Sequence, residues 1–93
     1  MIIVREVFTA KPGMASKLAR LFKSALASQP GRAMVMTDLV GKFNTVVLET
    51  EYASLTEFEA RMKDYMENEE WRSRMVGYTE MYQTGKREIY QIV

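Results

Sequence analysis

Residues 45–62 read TVVLETEYASLTEFEARM, and the change of pattern within this stretch decides the fold. The part from Thr45 to Tyr52 is rich in β-branched residues and predicts a strand. Ser54 then stands three residues before Glu57, which is the spacing of a capping box, where both side chains bind backbone N–H groups at a helix start. The sequence therefore predicts that a strand gives way to a helix within a few residues.

The chain after this switch predicts more helix and then a last strand. Apolar residues recur at helical spacing, lose phase near Asn68 and then resume. We expect one long kinked helix, or two in tandem, broken near residues 67–70 and ended by Gly85. Residues 87–93, REIYQIV, predict the final strand. The apolar side chains that we expect these helices to bury are Leu55, Phe58, Met62, Tyr65 and Met66 before the break and Trp71, Met75, Tyr78 and Tyr82 after it.

The chain before the switch predicts a strand, a helix and another strand. Residues 2–10, IIVREVFTA, predict a strand, and the apolar spacing from Met14 to Leu26 predicts a helix with Pro12 in its first turn. Residues 33–40, AMVMTDLV, predict a strand that forms an antiparallel hairpin with the strand at 45–52. The order β-α-β-β-α-β is ferredoxin-like, an α+β fold with a four-stranded antiparallel sheet and helices on one face.

Composition excludes several classes of function. The 93 residues form one domain, 1–93, and 13 Lys+Arg against 12 Asp+Glu give no electrostatic reason to expect nucleic acid. The chain has no Cys and no His, so thiolate sites, the commonest metal ligand and the usual general base are absent. We expect no cofactor and no metal. No signal peptide opens the sequence and no apolar run approaches the roughly 18–20 residues of a membrane span, so we expect a cytoplasmic protein with no membrane partner.

The predicted strands carry large apolar residues on both faces. In the first strand, Ile2 and Val4 alternate with Ile3. Because the helices can cover only one face, the other would expose an apolar surface too large for a stable monomer. We therefore expect a homodimer joined through the sheet faces, since twofold dimers are the commonest symmetric assembly.

Several short motifs follow one another along almost the whole chain. They are Lys11-Pro12-Gly13 after the first strand, Glu51-Tyr52-Ala53-Ser54-Leu55, the helix with Trp71, and Arg87-Glu88-Ile89-Tyr90 in the last strand. Together with the order of elements, they resemble the NIPSNAP family of the dimeric α+β barrel superfamily. The resemblance implies two ferredoxin-like protomers packed sheet against sheet, with a pocket between helices and sheet in each protomer.

The resemblance also implies a candidate site. Cofactor-independent monooxygenases of the antibiotic-biosynthesis type belong to this superfamily and surround an aromatic substrate with Asn, Trp and Tyr from this helical region and Arg from the last strand. In this chain the matching residues are Asn68, Trp71, Tyr78 and Arg87. A polycyclic phenolate can reduce oxygen itself, so such a pocket need only orient and deprotonate it. The alternative is that Trp71 and Tyr78 are core residues and Asn68 marks the helix kink.

Glu49 is a further ligand-binding candidate. Glu49 and Glu51 are two residues apart and share one strand face, with Cα atoms about 6.6 Å apart. They could form an acid/base pair in which one pKa is raised. The alternative is that they pair with Arg5, Lys42 or Arg87 near the dimer interface, where charges fix register.

The sequence is compatible with two functions. The first is a small homodimeric NIPSNAP-like domain, of undetermined activity, that binds a small hydrophobic or aromatic molecule in a pocket between helices and sheet. The second is a cofactor-independent monooxygenase of the antibiotic-biosynthesis type acting on an aromatic substrate. Six methionines could line an adaptable apolar pocket or fill gaps in a small core: Met34, Met36, Met62, Met66, Met75 and Met81.

Overall fold

The computed structural model describes all of residues 1–93. Its strands are β1 (Ile2–Ala10), β2 (Ala33–Thr37), β3 (Thr45–Tyr52) and β4 (Tyr82–Gln91). Its α-helices are α1 (Ala15–Leu26), α2 (Leu55–Glu67) and α3 (Glu69–Arg74), and a single turn of 3-10 helix spans Tyr78–Glu80. None of these helices combines the length and the apolar character needed to cross a membrane.

The four strands form one antiparallel sheet in the order β2-β3-β1-β4. Alternate residues of β1 pack with the helices, among them Val4 and Ala10. The ferredoxin-like α+β fold predicted from the sequence is confirmed. The other face, here called the open face, carries no helix, and its side chains include Ile3, Arg5, Val7, Met34, Met36, Val47, Glu49, Glu51, Glu88 and Tyr90.

The core consists of two separate clusters of buried residues. The α1 cluster joins Ala10 and Val46 of the sheet to Leu18 and Phe22 of α1. The α2 cluster joins Ile2, Val4 and Tyr52 of the sheet to Phe58 of α2. Between them lies a row of three cross-strand neighbours, Leu48, Glu6 and Arg87. The helical layer is therefore not packed continuously onto the sheet.

The start of α2 confirms the capping motif. The hydroxyl of Ser54 accepts a hydrogen bond from the Glu57 backbone N–H at 3.2 Å. The Glu57 carboxylate reaches back to the N–H of Ala53, at 2.6 Å, one residue before the cap. The predicted burial of Leu55 and Met66 is wrong, because α2 is fully buried only through Phe58 and Tyr65 and its buried stripe is narrower than the apolar pattern.

The predicted break in the helix is confirmed, but the predicted helix after it is too long. α3 ends at Arg74, and Gly77 then adopts the left-handed conformation, with φ of 86°, which glycine accepts without strain. The chain turns once and enters β4 at Tyr82, so the last strand is Tyr82–Gln91 and not 87–93. The four-residue spacing of Tyr78 and Tyr82 suggested a helix, but Tyr78 lies in the 3-10 turn and Tyr82 begins the strand.

Gly85 does not end a helix, as the sequence suggested, because it lies inside β4. A Cβ atom at this position would come within 3.0 Å of the Phe8 ring. The ring occupies the space above the glycine on the helix-facing side of the sheet. Gly85 therefore allows a close approach between strand and side chain.

Two turns also differ from the prediction. Pro12 precedes α1 and occupies a tight turn closed by a hydrogen bond from the Met14 N–H to the Lys11 carbonyl, at 2.9 Å. β2 ends at Thr37 and not at residue 40. Residues 38–44 form the loop to β3, and the side chain of Asp38 closes it by accepting a hydrogen bond from the Thr45 N–H at 3.0 Å.

Candidate functional site

A cavity of 690 Å³ lies between the helices and the sheet. This volume is within the range of roughly 300–1,000 Å³ that is typical of small-molecule sites. Most of its lining residues are hydrophobic, and they come from both core clusters and the row between them. The sheet contributes Glu6, Phe8, Leu48, Thr50 and Arg87, and the helices and the segment after α3 contribute Phe22, Leu26, Phe58, Met62, Tyr65, Met66, Trp71, Arg72, Met75 and Tyr78.

The floor of the cavity carries an ion pair. Glu6 and Arg87 face each other across β1 and β4, and Arg87 Nε donates to Glu6 Oε1 at 2.8 Å. The guanidinium also lies 5.2 Å from the centre of the Phe58 ring, within cation–π range. The Glu6 side chain is 19% exposed and that of Arg87 is 49% exposed. A carboxylate that is only partly exposed is stabilised by a charged partner, and Arg87 supplies it.

Tyr78 lines the same cavity as this pair. Burial raises the pKa of Tyr78 above its ordinary value, as do Tyr82 and the negative charge of Glu6, and Arg87 opposes these effects. The phenol is therefore neutral at physiological pH and can donate a hydrogen bond. Its ring lies 6.1 Å from the ring of Phe22, which fixes it to the α1 cluster.

Trp71 forms an aromatic wall with Tyr65. The two rings stack with their centroids 4.0 Å apart and their planes 11° from parallel. Asn68 positions Trp71 indirectly, because its side-chain oxygen accepts a hydrogen bond from the Trp71 backbone N–H at 3.0 Å and caps α3. The break between α2 and α3 thus turns the indole ring onto the last buried residue of α2.

The structure brings three of the five candidate residues together. Trp71, Tyr78 and Arg87 all line the cavity. Asn68 is not among the lining residues, and its side chain is engaged in capping. Glu49 lies on the open face, opposite to the cavity, where it pairs with Arg5 at 2.7 Å. Glu49 and Arg87 therefore cannot contact the same ligand within one protomer.

The carboxylates of β3 form ion pairs on the open face. Glu49 accepts two hydrogen bonds from Arg5, its cross-strand neighbour. A nitrogen of the Arg32 guanidinium lies 4.0 Å from a carboxylate oxygen of Glu51, and Arg32 was not among the partners predicted from the sequence. Arg87 pairs with neither, because it lies on the other face. These contacts agree with the ion-pair interpretation of Glu49 and Glu51.

Sequence reasoning missed Glu6, the partner of Arg87. The signal was present, because Glu6 is the single charged residue in the alternating set Ile2, Val4, Glu6 and Phe8 of β1. A charge in an apolar row that faces helices needs a partner or a polar cavity. Of the six methionines, Met62, Met66 and Met75 line the cavity, Met34 and Met36 lie on the open face, and Met81 packs against the α1 cluster.

The arrangement is suited to binding a largely apolar molecule that carries one polar group. No group of three or more His, Cys, Asp or Glu side chains lies close enough together to hold a metal ion. The polar groups that converge on the cavity are the guanidinium of Arg87, the carboxylate of Glu6 and the hydroxyls of Tyr78 and Thr50.

Solved structures share this architecture at low sequence identity. No protein-family model and no curated protein sequence matches the chain. A NIPSNAP domain protein from Burkholderia xenovorans superposes with a TM-score of 0.86 and 12% identity, covering 100% of this chain and 95% of that one. A NIPSNAP family protein from Agrobacterium tumefaciens superposes with a TM-score of 0.86 and 15% identity, covering 99% of this chain and 85% of that one. The chain has a NIPSNAP-like fold.

The same fold extends to a second group of proteins. A putative antibiotic biosynthesis monooxygenase from Chloroflexus aurantiacus superposes on the NIPSNAP-like fold of this chain with a TM-score of 0.78 and 13% identity, covering 99% of this chain and 92% of that one. Identities this low establish a shared fold and leave function to the residues of the site.

Proposed function

We propose that this protein binds a small, mainly hydrophobic molecule in the cavity between its helices and sheet. The observation that carries the proposal is the 690 Å³ space left between the α1 cluster and the α2 cluster. Protein interiors are close-packed, and spaces this large normally hold a ligand or solvent. The stacked Tyr65 and Trp71 rings offer a flat apolar wall for a ring or chain.

A neutral fluorescent probe tests this proposal. N-phenyl-1-naphthylamine becomes brighter in apolar surroundings, and we expect it to bind the native protein saturably. Thr50 lines the cavity floor, so Thr50→Phe should place a ring in the space and weaken probe binding with the far-UV circular dichroism unchanged. Thr56 is exposed on the outer side of α2, and Thr56→Phe is the matched control. Absence of probe binding to the native protein, or equal binding to both variants, would overturn the proposal.

We also propose that two copies associate through the open face. Met34 is 42% exposed and Tyr90 is 49% exposed there, beside the Arg5–Glu49 pair. Apolar side chains around a fixed ion pair suit a self-complementary interface, in which the charges set the register. Sedimentation equilibrium should give twice the 10.8 kDa chain mass, and Met36→Lys should reduce it. A native chain that stays monomeric at micromolar concentration would exclude this assembly.

A second candidate function is cofactor-independent oxidation of a polycyclic phenol. The observation that favours it is that Trp71, Tyr78 and Arg87 share the cavity, with the guanidinium available to a phenolate. In such a reaction the bound phenolate is the reductant and molecular oxygen is the oxidant. An oxygen electrode should record uptake that requires both protein and phenol and that falls in Arg87→Met. Oxygen uptake no faster than in the protein-free solution would exclude the oxidation and leave ligand binding as the proposed function.

A further inference from the structure

Arg87 is only partly used by its partner. Glu6 accepts a hydrogen bond from Nε, at 2.8 Å, and no side chain or carbonyl accepts from the two terminal nitrogens. The Phe58 ring, 5.2 Å from the guanidinium carbon, holds the planar group in place. The free edge of a guanidinium has the fork geometry that binds a carboxylate through two parallel hydrogen bonds. Arg87 therefore offers a fixed, unfilled binding edge at the cavity floor.

The charges that line the cavity are unequal. Two arginines, Arg87 and Arg72, line it against one carboxylate, that of Glu6, which is already paired. The nearest acidic partner of Arg72 is Glu69, which lies 4.0 Å away and is 92% exposed, so it neutralises Arg72 weakly. The lining thus carries one net positive charge, part of it on the Arg72 side chain, which is 60% exposed, and a bound anion would balance it.

The rest of the lining suits an unbranched or flat apolar body. Met62, Met66 and Met75 are flexible thioethers that adapt to irregular shapes, and Trp71 provides a rigid surface. The hydroxyl of Tyr78, neutral and without a hydrogen-bond partner in the structure, can donate to an anion placed at Arg87. The sheet floor carries Glu6, Thr50 and Arg87, and the remaining lining residues are apolar or aromatic apart from Arg72.

We propose that the natural ligand is an amphipathic carboxylate, whose carboxylate binds the terminal nitrogens of Arg87 and whose apolar part lies against Trp71 and the methionines. This inference rests on the proposed ligand-binding function and adds to it the charge and class of the ligand. Glu6 has a defined role in it, because it orients Arg87 through Nε and at the same time weakens anion binding through its own charge. Arg87 is the residue that contacts the ligand, and Glu6 is a positioning and tuning residue.

Displacement of N-phenyl-1-naphthylamine by three ligands with one common tail tests the inference. Dodecanoate, dodecanol and dodecylamine, each below its micelle concentration at pH 7.5, differ only in the head group. We expect dodecanoate to displace the probe at a concentration at least tenfold below that of dodecanol, with dodecylamine the weakest. If the probe binds but dodecanoate and dodecanol displace it at equal concentrations, or dodecylamine displaces it at the lowest concentration, the inference of a carboxylate ligand is refuted and the proposed function stands. Failure of the probe to bind would overturn both.

Two substitutions with opposite expected effects separate recognition from structure. Arg87→Met should remove the preference for dodecanoate over dodecanol. Glu6→Gln should strengthen the binding of dodecanoate several-fold relative to that of dodecanol, because it removes the competing anion and keeps Arg87. If the pair only stabilised the fold, both variants would weaken all ligands alike. Arg20→Met, at an exposed position of α1, is the control. If Arg87→Met alone fails to fold, the Glu6→Gln/Arg87→Met double variant replaces it, because it leaves no unpaired charge in the cavity.

Discussion

Replacement of Trp71 by alanine distinguishes a cavity wall from a filled core. Leu18 provides the comparison, because it is fully buried in the α1 cluster and does not line the cavity. Leu18→Ala should lower the free energy of unfolding by about 3 kcal/mol, within the range of about 2–5 kcal/mol for such truncations, part of which arises from the empty space created. Trp71 already borders an open space of 690 Å³, so truncating it creates little new cavity.

The expected cost of Trp71→Ala is therefore about 2 kcal/mol. It consists of the stacking with Tyr65, about 0.5–1.5 kcal/mol, and the loss of the apolar contact that the indole makes on one side only. Urea unfolding should be followed by far-UV circular dichroism. Trp71 is the only tryptophan, so the variant has no tryptophan fluorescence to report unfolding. All variants should be compared at one protein concentration, since an associating protein gains apparent stability by mass action.

Ligand binding provides the second measurement for the same pair of variants. Trp71→Ala should weaken binding of N-phenyl-1-naphthylamine clearly, whereas folded Leu18→Ala should bind it as the native protein does. The reasoning is refuted if Trp71→Ala costs as much stability as Leu18→Ala and leaves probe binding unchanged. That result would make the indole a core residue with no role at the cavity.

Three other substitutions follow from contacts described above. Gly85→Ala should destabilise the protein by about 1–3 kcal/mol in thermal unfolding, because the added methyl group meets the Phe8 ring at 3.0 Å; no loss of stability would show that the ring yields freely. Ser54→Ala should cost about 1 kcal/mol in urea unfolding through loss of the α2 cap, and an unchanged midpoint would show that the cap contributes nothing. Burial raises the pKa of Tyr52 and of Tyr78, so the unfolded chain loses these phenol protons at a lower pH than the folded protein does. The free energy of unfolding should therefore fall as pH rises above about 10. Tyr52→Phe and Tyr78→Phe should each make that fall shallower, and the same dependence on pH in the native protein and both variants would contradict the prediction.

The fold was predictable because local signals agreed with one another. The capping motif at Ser54 and Glu57 marked the start of α2, and the loss of helical phase marked the break that Asn68 makes. The region from Arg74 to Gly85 was not predictable in the same way. Tyr78 has helical spacing because its ring, like those around it, packs on the α1 cluster, and a shared buried surface does not require one continuous helix. Two glycines lay nearby, and only backbone geometry distinguishes the turn at Gly77 from the strand position at Gly85.

The candidate site was predictable only in part, for a reason that lies in the sheet. Trp71, Tyr78 and Arg87 were chosen through a family resemblance, and all three line the cavity. The ion pair on its floor depends on strand register, which places Glu6 opposite Arg87 although they are 81 residues apart in sequence. The alternation of apolar residues shows which face of a strand is buried, but no short turn fixes the register of β1 against β4, so the partner of Arg87 could not be chosen by sequence alone.

The division of the core into two clusters has a consequence for how fast the cavity exchanges its contents. α1 is held by residues with almost no exposure, whereas α2 meets the sheet mainly where Phe58 packs on Tyr52. The rest of α2 spans the space, so its local opening needs little apolar surface to be exposed. Backbone amides of α2 should exchange with deuterium sooner than those of α1 in the empty protein. Opening of α2, and not diffusion, would then set the rate at which a molecule enters, and a ligand that fills the space would slow both opening and its own escape.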